Sequence, residues 1–187
     1  MRMASAQNVT SSRNARGDAI RERLLNVAQR LFVEKGIDAV SLNSIALHAD
    51  QHNNSAMQYL FGSKTGLIEA LLERGMSLLN ARRNELLAGV DTSNRRKALR
   101  QIAEAIVLPF SEHLLHERQS DYVRFVAQVT FNADQTVFEM TRGKHDSAVR
   151  AISRLAQEIL SDLDSDVVRH RLALVTELVL FGVAERE

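Results

Sequence analysis

Residues 41–64 read SLNSIALHADQHNNSAMQYLFGSK, and this stretch decides the fold. Leu42, Ile45, Ala46 and Ala49 recur at spacings of three and four, the period of one buried helix face. Asn53, Asn54, Ser55, Gln58 and Tyr59 follow as a run of neutral hydrogen-bonding side chains. Such a run is poor core material, because a polar group buried without a partner costs free energy. It suits a surface that meets the mixed donors and acceptors of base edges. Two short helices joined by a turn, the second polar and outward-facing, describe a helix-turn-helix.

The flanks agree. Ile20, Leu24, Val27, Ala28, Leu31 and Phe32 make an apolar stripe that predicts a preceding helix. Asp18 stands where that helix would be N-capped, and Gly36 where a helix commonly ends in a left-handed residue. Ser41 is placed to cap the second helix and Ser63 to cap a long fourth one. Three helices, the third polar and each ended by its own signal, amount to a small DNA-binding headpiece.

The letters resemble the N-terminal domain of the TetR family of bacterial repressors. The resemblance is carried by Ala28, Leu31 and Phe32, by Gly36, by Ser41 with Ile45 and Ala46, and by Tyr59, Phe61, Ser63 and Lys64. It covers residues 18–72, and the stretch Gln51–Ala56 looks like a subgroup whose third helix is rich in Asn. Two positions depart from the family pattern. Asp50 stands where Gly is usual at the turn, and Leu60 where His is common between the aromatic residues. Asp tolerates left-handed backbone angles better than most residues, so the turn is expected to survive. Leu60 removes one polar contact.

Composition narrows the class. The chain has 187 residues, 45% of them hydrophobic, enough for one compact unit or two small ones. A single proline, Pro109, and eight glycines favour long helices over strands and turns, so the expected fold class is all-α. With no cysteine there is no disulfide framework, thiol nucleophile or thiolate metal site. No apolar run approaches a membrane span and no signal-peptide core opens the chain, so a cytoplasmic protein is expected. The last residues, Ala184 to Glu187, bring no obvious terminal cap, and the native chain is open to extension there. The net charge of +1 decides nothing, since a DNA-binding protein needs a local basic surface and not a basic whole.

Local charge says more. Residues 1–17 carry Arg2, Arg13 and Arg16 and no acid, and read as a flexible arm. The arm is either a solvated tail or a segment that touches phosphate or a minor groove. Lys64 falls in the first turn of the fourth helix, where a cation opposes the dipole and an anion would relieve it. A DNA phosphate fits that position, and the family resemblance implies one; a solvated lysine is the plain alternative. Tyr59 is expected to pack its ring on the headpiece and direct its hydroxyl at a phosphate. Base reading falls to Asn53, Asn54, Ser55 and Gln58, with Asn43 and Ser41 as further DNA contacts. These assignments divide the chain into the arm, a headpiece over 18–66 and a second helical unit over 67–187.

In the second unit Leu67, Leu71, Leu78, Leu79 and Leu86 lie along the long connecting helix, and Asp91–Asn94 reads as a loop. Leu99, Ile102, Ala103 and Ile106 begin another helix, which Pro109 is expected to bend or interrupt. By resemblance this unit binds an inducer and dimerises. Five of the seven phenylalanines lie beyond residue 100. An apolar or aromatic effector is therefore placed among Phe110, Tyr122, Phe125, Val126, Val129 and Phe138, with His113 as polar contact. The plain alternative is that the same side chains are core. Stripes at Val149–Leu163 and Val167–Gly182 suit a two-fold interface, with Ile152, Leu155, Ile159, Leu172, Val175 and Val179 as its residues.

Two constellations invite a metal reading. His113 and His116 stand three apart, but two His residues alone do not close a site and the HExxH spacing is missing. Asp162, Asp164 and Asp166 alternate as in a calcium loop without its glycine and distal Glu, and read instead as a turn that caps the final helix. No metal and no cofactor are expected. Three function classes compete. A ligand-responsive repressor, working as a homodimer on a palindromic double-stranded operator, explains the polar third helix. A helical enzyme has no Ser-His-Asp order, phosphate loop or metal set behind it. A helical adaptor that binds protein instead of DNA would expose apolar anchors on that helix instead of Asn and Gln.

Overall fold

The computed structural model describes the backbone of residues 3–51, 54–114, 117–132, 143–144 and 146–185. Side chains are described from residue 15 onward, except those of 54–55, 113–114, 117–120 and 131–132. Among these residues every element is helical, so the all-α expectation holds. The helices are α1 (Met3–Lys35), α2 (Leu42–His48), α3 (Asn54–Phe61), α4 (Lys64–Leu87), α5 (Arg95–Leu114), α6 (Glu117–Asn132), α7 (Ser147–Ile159) and α8 (Ser165–Ala184). Two compact units divide the chain at Leu71 and Leu72. The boundary falls inside α4, a little beyond the division expected at residue 66.

In the first unit α1 packs on α2, and α2 on α3. The α1 stripe is buried as its spacing predicts, through Leu24, Ala28, Leu31 and Phe32, and Leu25 joins it. The helix does not start at Asp18. Its backbone is helical from Met3, so Asp18 lies inside a continuous helix and the arm expected over 1–17 is helical from residue 3 onward. The end of α1 follows the sequence: Gly36 takes φ +85° and its N–H reaches the Phe32 carbonyl at 2.9 Å.

In the second unit α5 packs on α6, α7 and α8, and α8 also on α6 and α7. Ile102, Ala105 and Ile106 of α5 form a buried cluster with Ile152, Ala156 and Val168. Pro109 does not interrupt α5, which runs unbroken to Leu114. A proline inside a helix removes one N–H and crowds one carbonyl; here Pro109 is buried between Leu108 and Phe110 and packing holds the helix through it. Asn94 ends the preceding loop and caps α5, its Oδ1 accepting from the Lys97 N–H at 3.0 Å. The aspartate series behaves as a turn: Asp164 caps α8, accepting from the N–H of Asp166 at 2.8 Å and of Val167 at 3.4 Å, while Asp162 pairs with Arg95 at 2.9 Å. Among the described residues no group of three or more His, Asp or Glu side chains is placed to hold a metal ion.

Candidate nucleic-acid interface

The turn of the helix-turn-helix is built on Asp50. Its φ of +54° makes it the one left-handed residue other than glycine among the described residues. The N–H of Asp50 reaches the Leu47 carbonyl at 3.2 Å and that of Gln51 the Ala46 carbonyl at 2.9 Å. This is the paired closure that usually ends a helix on glycine. Ser41 caps the other end of α2, its Oγ accepting from the Ser44 N–H at 3.1 Å. Both ends of the seven-residue helix are thus set by side-chain and backbone chemistry local to residues 41–51. Ile45, Ala46 and Ala49 face the core, while Asn43, Leu47 and His48 face solvent.

α3 is anchored by two residues. Met57 is 2% exposed and Phe61 9%, one turn apart, and Arg21 stacks over the Phe61 ring at 5.8 Å. Ala56 and Leu60 flank them, half-buried, which leaves Gln58 and Tyr59 on the open side. Tyr59 is 89% exposed, so its ring does not pack on the headpiece as expected. A tyrosine in that position presents both ring and hydroxyl to whatever meets α3. Asn54 and Ser55 form the first turn of the helix, with side chains outside the described residues; Asn53 lies outside them altogether. Leu60 is a partly buried flank of the anchor and contributes packing where its polar counterpart would contribute a hydrogen bond.

α4 starts as the sequence predicts. Gly62 takes φ +70°, and Ser63 caps the helix through Oγ, which accepts from the Gly66 N–H at 3.0 Å. Lys64, half-buried in the first turn, extends its Nζ to the Asp38 carbonyl at 3.4 Å, a long bond that an anion can replace. Lys64, Tyr59 and Gln58 are therefore brought within one short stretch of the headpiece by the α3–α4 corner.

The residues expected to meet an effector and a second protomer are placed differently. Phe110, Tyr122, Phe125, Val126 and Val129 are all buried in the second unit, and Tyr122 donates its hydroxyl to the Leu72 carbonyl at 3.2 Å. His113 and Phe138 are outside the residues whose side chains are described. Of the six interface candidates, Ile152 is 6% exposed and belongs to the protomer core, and Leu155, Ile159, Leu172 and Val179 pack against the same cluster. Only Val175 lies open, at 42%. The open apolar face of α8 consists instead of Val167, Leu174, Val175, Leu178 and Phe181. Both faces of α8 are apolar, and the residues expected at the interface fall mostly on the one turned inward. Two further residues carry no signal in the sequence strong enough to single them out: Met57, which stands among polar neighbours, and Arg83, a buried cation that follows Met76 and Leu79 in phase.

Residues 24–71 match the model of the bacterial regulatory proteins of the tetR family. The matched segment is the helix-turn-helix just described, from the buried stripe of α1 through the first turns of α4. A search of curated protein sequences finds no match. Among solved structures the chain is similar to the SmeT–triclosan complex, at 17% identity and a TM-score of 0.63, over 89% of this chain and 81% of that one. It is also similar to NalD, the secondary repressor of the MexAB-OprM multidrug efflux pump in Pseudomonas aeruginosa, at 18% identity and a TM-score of 0.61, over 90% and 85%. PfmR, a TetR family transcriptional regulator from Thermus thermophilus, matches at 24% identity and a TM-score of 0.57, over 85% and 84%. The chain shares the fold of these regulators. Among its described residues no helix is long and apolar enough to cross a membrane.

Proposed function

We propose that the protein is a sequence-specific DNA-binding transcriptional regulator of the TetR type, acting in the cytoplasm as a homodimer on a palindromic operator. The observation that carries this reading is α3 itself. Met57 and Phe61 fix one face of it in the core, while Gln58 and the 89% exposed Tyr59 stand on the other, inside the segment that matches the family. Helix α3 enters the major groove. Asn53, Asn54, Ser55 and Gln58 read base edges, and Tyr59, Lys64, Ser41 and Asn43 hold phosphates.

One headpiece offers little surface for a specific site, and two related by a two-fold axis read half-sites about 34–36 Å apart. The open stripe of α8 supports that assembly. It presents Leu174 at 64% and Leu178 at 73% exposure on a helix whose other face, through Val168 and Leu180, is buried. The second unit binds a small effector against the wall of Phe110, Tyr122, Phe125, Val126 and Val129, and the bound state releases DNA, as in a repressor. NalD is a repressor and SmeT is seen with triclosan, and both share this fold. An effector can do this only through different affinities for the DNA-competent and DNA-released states.

The test is a titration of a duplex enriched by the protein from a random library, set against unselected duplex at several salt concentrations. Gln58→Ala should lower the ratio of specific to unselected binding by about 1–3 kcal/mol. Absence of salt-dependent binding to any duplex would overturn the reading, and an unchanged ratio in the variant would remove Gln58 from base recognition.

A further inference from the structure

Arg83 carries a charge into the interior of the second unit. Along α4 the buried residues Leu72, Met76 and Leu79 continue in phase into Asn80 and Arg83, so an apolar stripe turns polar over its last turn. Arg83 is 3% exposed, and its guanidinium carbon lies 5.0 Å from the centre of the Phe110 ring. The neighbouring Arg82 occupies the nearby acid. It donates two bonds of 2.9 Å to Glu112 and another of 2.9 Å to Glu85, at the half-exposed edge of the helix. Arg83 Nε meets no hydrogen-bond acceptor among the described residues. Burial pulls the guanidinium down to about 10, with the Tyr122 phenol acting in the opposite direction, so it remains a cation at neutral pH.

A guanidinium cannot relieve burial by losing its proton at physiological pH, and its planar fork is shaped to receive two oxygens. An aromatic face offsets part of the desolvation but leaves an in-plane N–H without an acceptor. Phe110 and Tyr122 face the guanidinium, the Tyr122 ring lies 6.3 Å from that of Phe125, the buried polar Asn80 stands one turn earlier on α4, and Arg83 is the one buried cation among the described residues. One buried positive charge against aromatic rings selects a monoanion with an apolar body over a phosphate or a polyanion. We propose that the effector of this protein is an amphipathic carboxylate, whose oxygens take the fork of Arg83 and whose apolar body lies along Phe110, Tyr122 and Phe125. This rests on the effector reading above and adds the charge of the ligand and the residue that recognises it. Arg83 belongs to the same helix that Lys64 begins, so the recognised charge acts directly on α4.

The experiment compares acids with their isosteric amides on the full chain. Octanoate, benzoate and phenylacetate are titrated calorimetrically beside octanamide, benzamide and phenylacetamide. At least one acid should bind about ten-fold or more tightly than its amide, the scale of one charge-assisted hydrogen bond. Arg83→Gln should abolish that preference, and Arg83→Lys, which keeps the charge and loses the fork, should retain part of it. Equal binding of acids and amides, failure of every acid to bind, or a preference that survives Arg83→Gln would each overturn the proposal. Should Arg83→Gln fail to fold, the acid-to-amide ratio in the unmodified protein and in Arg83→Lys decides. DNA release is followed in parallel. An acid that binds through Arg83 without changing DNA affinity supports the anion site and overturns the effector reading. Release by amides as readily as by acids does the reverse.

Discussion

At Asp50 a single backbone angle sets where α2 stops and α3 begins. A left-handed conformation costs a residue with a Cβ about 1–2 kcal/mol, and Asp pays less than most. Asp50 also puts a negative charge at the end of α2 where the helix dipole is negative. Asp50→Gly should therefore stabilise the folded chain by about 0.5–1 kcal/mol, after allowance for the greater freedom of glycine when unfolded. Asp50→Val should destabilise it by at least about 1 kcal/mol. Urea denaturation of both variants checks the pair, and a loss of stability in Asp50→Gly would show that the carboxylate itself holds the turn. Residues of this kind were legible in the sequence because their task is local. Ser41, Ser63, Gly36 and Asp50 each satisfy a neighbour within a few positions, and all four do so as read. Tyr59 was not legible. An aromatic ring near the end of an amphipathic helix reads as core by composition, and only the register set by Met57 and Phe61 turns it outward.

Among the elements, α4 depends on a close approach at Gly75. A Cβ at Gly75 would fall inside the ring of Tyr122, which is buried against that turn and donates its hydroxyl to the Leu72 carbonyl at 3.2 Å. Glycine in a helix interior is normally worth replacing, since alanine there gains about 1 kcal/mol. Here Gly75→Ala should instead destabilise the protein, because overpacking costs about 1–3 kcal/mol and the ring has no free side to move to. The cost should shrink in a Tyr122→Leu background, and thermal unfolding of the two single variants and the double variant measures that coupling. Equal costs in both backgrounds would separate the two residues. Helix existence was readable from periodicity where an apolar stripe recurs, as in α1, α2 and α5. Helix limits were less so: α1 passes through Asp18, and α5 passes through Pro109, where tertiary packing outweighs a local breaking signal. The same packing carries α5 through Pro109 to Phe110 and beyond, and Phe125 and Val129 are buried in the second unit.

For the whole molecule the question is what covers α8. Leu178 is 73% exposed in the protomer, so an aspartate there disturbs nothing within one chain. Leu178→Asp should leave the melting of the protomer fold intact and convert the proposed dimer to monomer in sedimentation, because an unpaired charge would lie in the apolar contact. Val179→Asp should instead unfold the chain, since Val179 packs against the internal cluster. A folded Leu178→Asp variant that remains dimeric would move the interface to another face. The two-faced character of α8 explains why its role was only half legible: a stripe repeated on both sides of a helix states that something packs there without stating what. The open stripe also has a consequence for the living cell. Closed by a second copy, as proposed above, that surface would tie the persistence of the folded form to the number of molecules present, since association stabilises by mass action. Dilution by growth would then thin not only the occupancy of DNA but the pool of durable protein, and a regulator of the proposed kind would answer to its own dosage before it answered to any signal.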